Sequence, residues 1–153
     1  GDKPFLPAGV LVALEDVADP TNVGAIVRTA DAIGAAGVLL SAGCADATSP
    51  RAVRASMGSL FHVPVRVAED FPAALSALKG EGWRMVGGHL RGQDRLCPAE
   101  KSCLLIGNEA RGLTPAASAL CDDLVKITIY GQAESLNASV AAGILLYRLR
   151  EGF

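Results

Sequence analysis

Residues 10–41 read VLVALEDVADPTNVGAIVRTADAIGAAGVLLS, and their pattern decides the fold. Residues 10–14 are an unbroken apolar run of strand length, closed by Glu15 and Asp16, the pattern of a strand buried on both faces. Asp19-Pro20-Thr21-Asn22 combines turn chemistry with a helix-start signal. A helix is expected over 22–33, with Gly34 near its end, and a second buried strand over 38–41. Strand, helix and strand in about thirty residues make a βαβ unit.

The rest of the chain continues the alternation. Further strands are expected over 63–67, 83–87, 103–106 and 124–129, and helices over 49–57, 71–79, 115–120 and 136–150. The implied fold is α/β: a mainly parallel sheet with helices on both faces and right-handed crossovers. Ligands of such sheets bind beyond the carboxyl ends of the strands, which directs attention to the polar loops after the first, fifth and sixth strands. The 153 residues suit one domain, 1–153, with a core that needs no staples.

Composition narrows the function classes. Half the residues are hydrophobic and the formal net charge is −2, which excludes a disordered chain and a nucleic-acid binder that is basic over its whole surface. Local basic patches are still open, because ten of the fourteen cations are arginine, suited to forked phosphate contacts. Arg51, Arg54, Arg91, Arg95 and Arg111 fall near expected loops. No C-x-x-C pair accompanies the four cysteines, and there are two histidines, so no metal site is expected. Reduced thiols and the absence of a membrane-length apolar run point to the cytoplasm. Gly1-Asp2-Lys3-Pro4 resembles the end of a linker. There is no G-x-G-x-x-G after the first strand, no G-x-x-x-x-G-K-[ST] and no G-x-S-x-G, so three common nucleotide and hydrolase signatures are missing.

Three loops carry polar constellations. In the first, Asn22 stands where it can cap a helix, and Arg28 follows six residues later, about 9 Å along the axis. Arg28 interrupts an apolar stretch and needs an ionic partner, Glu15 or Asp16, or a solvent-filled site. In the second, Gly107-Asn108-Glu109-Ala110-Arg111-Gly112 brackets polar residues with glycines directly after a buried strand, a loop whose backbone can approach a ligand. In the third, Ser135 or Asn137 can cap the last helix. That helix is apolar almost all round, as expected of a subunit interface or of burial within its own domain.

Taken together and in this order, the three loops resemble the motifs of the SpoU (TrmH) family of RNA ribose 2′-O-methyltransferases, in the knotted SPOUT superfamily. Asn22 and Arg28 look like its first motif, Gly107-x-Glu109-x-x-Gly112 its second, and Ser135-Leu136-Asn137 its third. The connecting stretch from Ser49 to Gly58 is also similar. The resemblance implies a C-terminal trefoil knot, S-adenosylmethionine as methyl donor with S-adenosylhomocysteine as product, and no metal. It implies a donor site at Leu105, Ile106, Gly107, Ile127, Ile129 and Leu136. Arg28, with Asn22, Glu109, Ser135 and Asn137, is implied to activate the ribose hydroxyl and position substrate. A homodimer through the knot and last helix is implied, as is a tRNA or rRNA substrate. An N-terminal RNA-recognition domain, common in relatives, is expected outside this chain; alternatively Arg51, Arg54, Arg91 and Arg111 of two subunits form a basic groove. One departure is local: Thr128 stands where the family often has proline, which frees a φ angle and adds an N–H donor. Two other functions fit the same motifs, a non-catalytic RNA-binding or ribosome-assembly module and a base-methylating relative.

Overall fold

The structure, a computed structural model, describes residues 3–152; Gly1 and Asp2 of the linker-like start lie outside them. Six strands form one sheet: β1 (Gly9–Leu14), β2 (Gly37–Ser41), β3 (Val65–Ala68), β4 (Arg84–Gln93), β5 (Lys101–Ile106) and β6 (Asp123–Val125). Five helices connect or follow them: α1 (Pro20–Ala32), α2 (Pro50–Ser56), α3 (Phe71–Gly80), α4 (Pro115–Ala119) and α5 (Ala138–Glu151). The strand order is β3-β2-β1-β5-β4-β6, and every pairing is parallel. The α/β class expected from the apolar runs is therefore present, with a sheet that is wholly parallel.

Two core layers follow from the period-two geometry of strands. Val10, Val12 and Leu14 of β1 join Ile26 of α1 and Leu145 of α5 on one face. Leu11 and Ala13 join Leu75 of α3 and Ala117 of α4 on the other. The winding reverses between β1, paired in register Leu14 to Ile106, and β5. Beyond the carboxyl ends of those two strands lies the switch point where such sheets bind ligands.

Five expected boundaries move. α1 begins at Pro20, and its cap is Asp19, whose carboxylate accepts the Thr21 N–H at 2.8 Å; proline suits a first turn that has no N–H to satisfy. Asn22 lies inside the helix, buried. β3 starts at Val65, after a short 3-10 turn over Ser59–Phe61. β4 passes through Gly87 and Gly88 to Gln93, because these glycines are sites of close packing. A Cβ at Gly87 would lie 2.7 Å from Cys121 Sγ and 2.9 Å from Leu124 Cδ2. β6 ends at Val125 instead of continuing to 129: its one neighbour is β4, whose register shifts between Gly88 and Gln93. The last helix starts at Ala138, two residues after the expected start, with Asn137 as its cap, accepting from Ser139 and Val140 N–H at 2.8 and 3.3 Å.

α1 and α2 lie against each other through Gly24, where a Cβ would fall 2.2 Å from the Ala52 carbonyl oxygen. This contact fixes the helix that carries Asn22 and Arg28. Gly24→Ala is expected to cost about 1–3 kcal/mol through overpacking, read by urea denaturation. Gly80→Ala, at the end of α3 with no atom within 4 Å of the new Cβ, is expected to be neutral or stabilising by about 0.5 kcal/mol.

Candidate active site

The loop after β5 has a geometry that only its glycines permit. A Cβ on Gly107 would lie 2.2 Å from the main chain at Gly112 and Leu113. Gly112 has φ +71° and donates its N–H to the Asn108 carbonyl at 2.8 Å. Asn108 holds the turn from within: its Oδ1 accepts from the N–H groups of Ala110 and Arg111, and its Nδ2 donates to the Asp16 carbonyl at 2.7 Å. The loop is thus closed on itself and fastened to the end of β1.

Two carboxylates then cross the switch point in opposite directions. Glu109, from the β5 loop, accepts the Ala18 N–H at 2.9 Å, the Asp19 N–H at 2.8 Å and the Asn22 amide at 3.2 Å. Glu15, from the end of β1 and only 6% exposed, accepts the N–H and hydroxyl of Thr114 at 2.7 and 2.9 Å. Burial works against ionisation of Glu109, but hydrogen bonds from Ala18, its own N–H, Asp19 and Asn22 outweigh it and hold the carboxyl below its ordinary value. Asn22 is therefore neither the cap nor an exposed residue; it is the side chain through which α1 meets Glu109.

Two adjoining hollows open here. The first, of about 390 Å³, lies among the ends of β4, β5 and β6 and the start of α5, a size that accommodates a small ligand. Its walls include Ile106, Gly107, Ile127, Ile129 and Leu136, five of the six residues expected at a donor site. The sixth, Leu105, faces the opposite core layer. Between Ile127 and Leu136 no N–H pairs with another main-chain group among the described residues, so this irregular segment has backbone donors and acceptors free for a ligand. The second hollow is an open cleft lined by Asp19, Asn22, Glu109, Ser135 and Asn137. Glu109, Ser135, Leu136 and Ala138 belong to both.

The cleft thus gathers four of the five polar residues expected to act, Asn22, Glu109, Ser135 and Asn137. Arg28 lies outside both hollows, exposed on the outer side of α1. The ionic partners expected for it are engaged elsewhere: Glu15 with Thr114, and Asp16 with Ser41 and, at 3.8 Å, Arg111. Solvent exposure removes the burial cost that made a partner necessary. Sequence reasoning missed His89, which lines the first hollow from β4; Arg91 beside it was expected in a basic groove, not at a donor-site wall. The signal was available: β4 is also a parallel strand with a carboxyl end, hidden because Gly87-Gly88 reads as a terminator.

Glu109→Gln keeps the shape but cannot accept on both arms. It is expected to lower stability at pH 7 by about 1 kcal/mol, the low end for bonds to a charged group because the residue is exposed. A depressed carboxylate stabilises above its unfolded value, 4.5, and that gain is lost as pH falls through the folded one. Denaturation curves of the two proteins should therefore converge as pH drops below about 4.5.

Known proteins resemble this chain over nearly all of its length. The 23S rRNA (guanosine(2553)-2′-O)-methyltransferase RlmP of Bacillus subtilis is 39% identical over 152 residues, covering 97% of this chain and 61% of that protein. An AdoMet-bound rRNA methyltransferase from Sinorhizobium meliloti is 36% identical with TM-score 0.86, over 94% of this chain and 56% of that one. A structure described as giving insight into 2-OH methylation of C/U34 on tRNA is 31% identical with TM-score 0.82, over 97% of this chain and all of that one. The chain thus spans about three fifths of its curated relative, RlmP. The sequence model of the SpoU rRNA Methylase family matches residues 9–147, strands, loops and last helix together, and the chain belongs to that family.

Proposed function

We propose that this chain is an S-adenosylmethionine-dependent RNA methyltransferase domain that methylates a ribose 2′-hydroxyl of tRNA or rRNA. The observation that carries the reading is the contiguity of the two hollows: an apolar one with free backbone groups, sharing Glu109, Ser135, Leu136 and Ala138 with a polar cleft. A donor in the first and a ribose in the second would lie side by side, and orientation of this kind supplies much of the rate enhancement. The residues fit the donor. Ile106, Ile127, Ile129 and Leu136 offer apolar walls for an adenine, and the bare backbone at Gly107 allows close approach. When bound, S-adenosylmethionine supplies a sulfonium methyl group and departs as neutral S-adenosylhomocysteine.

The chain's own residues then have defined tasks. Asn22, Glu109, Ser135 and Asn137 position the ribose. Arg28 stabilises the developing alkoxide and grips an adjacent phosphate. It is not the base, because a guanidinium stays protonated at working pH; the hydroxyl proton passes to phosphate or water.

Since Arg28 lies outside both hollows of one chain, the reading requires a homodimer that brings it to a donor site. Val140, Ile144 and Tyr147 leave an exposed stripe along α5 at 50%, 39% and 53%, the face a second copy would cover. The C-terminal knot, threaded where the segment after β6 returns to α5, belongs to the same proposal. So does a separate RNA-recognition domain beside this 1–153 unit. Among the described residues no helix is long and apolar enough to cross a membrane, and all four cysteines are free, which supports a cytoplasmic setting.

Calorimetric titration tests the donor site: saturable binding of S-adenosylmethionine and S-adenosylhomocysteine, with none of NAD, is expected, and a folded protein that binds neither would overturn the reading. Arg28→Ala is expected to lower kcat by about 10²–10³-fold with donor affinity unchanged. Mixing Arg28→Ala with donor-blocked Gly107→Val subunits should restore activity, since heterodimers recover one intact pairing; no recovery would place Arg28 at its own chain's site.

A further inference from the structure

The outer side of the α1–α2 pair carries three exposed arginines, Arg28, Arg51 and Arg54, in a chain whose net charge is −2. Arg51 is the one tied to the cleft. Its Nη2 donates to the Thr21 hydroxyl at 3.2 Å and lies 3.9 Å from the Asp19 carboxylate, with the side chain 63% exposed. Asp19 lines the cleft, and its N–H is held by Glu109. The Asp19 carboxylate also caps Thr21, and an exposed pair at that distance is weak, so most of the guanidinium's five donors are free. Arg54 follows one turn later and, like Arg28, pairs with no carboxylate among the described residues. Like charges at i, i+3 repel, a repulsion that a bound polyanion would relieve.

Other arginines are differently placed. Arg84 is bound to Asp123 at 2.8 Å, Arg111 lies 3.8 Å from Asp16, and Arg66 lies over the Phe5 ring at 5.1 Å.

Building on the methyltransferase reading, we propose that Arg51 and Arg54 are positioning residues for RNA, gripping backbone phosphates next to the acceptor nucleotide and seating its ribose in the cleft. They select no base, because phosphate contacts fix register without reading sequence. The RNA backbone therefore runs along α2 into the cleft.

The test measures binding of labelled total tRNA and, separately, total rRNA from 50 to 200 mM salt. It compares wild type, Arg51→Gln, Arg54→Gln, the double variant and an Arg66→Gln control, each checked for folding by circular dichroism. Each cleft-side substitution should weaken binding and reduce the slope of log K against log salt by about 0.7–0.9, the loss of one phosphate contact. KM for RNA should rise while kcat at saturating RNA and affinity for S-adenosylmethionine stay at wild type. Arg51→Lys should recover the slope, which a merely structural role would not predict. A folded double variant with wild-type affinity and slope overturns the proposal, as does wild type that binds S-adenosylmethionine but neither RNA. Wild type that binds no S-adenosylmethionine overturns the methyltransferase reading itself.

Discussion

The site depends on a pair of crossed carboxylates. Glu15 leaves the end of β1 to hold Thr114 beyond β5, and Glu109 leaves the β5 loop to hold Ala18 and Asp19 beyond β1. Parallel strands bring the two loops together at a switch point, but adjacency alone leaves their main-chain N–H groups unsatisfied. Each glutamate satisfies the other strand's loop, so neither loop keeps its shape alone. Asn22 attaches α1 to the same network through Glu109, and Asn108 adds a third tie through the Asp16 carbonyl.

Close backbone approach is the second constraint. Gly107 lets the main chain at Gly112 and Leu113 come within the space a Cβ would need, and Gly24 does the same for α1 against Ala52. The first contact sets a wall of the apolar hollow, and the second sets the direction in which Arg28, Arg51 and Arg54 are presented. Polar chemistry thus rests on places where the chain has no side chain at all. On the proposed reading this division is economical: backbone and apolar walls hold the donor, while charged groups on α1 and α2 meet the RNA.

Much of this was legible in the sequence, because periodicity reports burial and burial reports sheet faces. The apolar runs at 10–14, 38–41 and 103–106 became the central strands. Four of the five polar residues singled out from motifs, Asn22, Glu109, Ser135 and Asn137, meet in one cleft, and five of six expected donor-site residues line the hollow beside it. What escaped depended on contacts distant in sequence. Gly87-Gly88 reads as a stop in isolation and becomes a packing surface only once Cys121 and Leu124 lie against it, so the continuation of β4 to Gln93, and with it the place of His89 on the hollow, was missed. The run 124–129 is apolar enough for a strand, yet β6 loses its only partner after Val125. Asn22 resembles a cap locally, but the carboxylate it serves lies 87 residues away. The position of Arg28 outside one chain's cleft is likewise a tertiary fact that spacing along a helix does not contain.

The most direct test of the central claim is chemical. RNA from a strain lacking the protein would be incubated with this chain and S-adenosylmethionine, digested with nuclease, and analysed by mass spectrometry of the nucleosides. The account predicts a new nucleoside whose added methyl stays with the ribose fragment. A methyl retained on the base would contradict ribose chemistry, and no methyl at all from a folded protein that binds the donor would contradict catalysis.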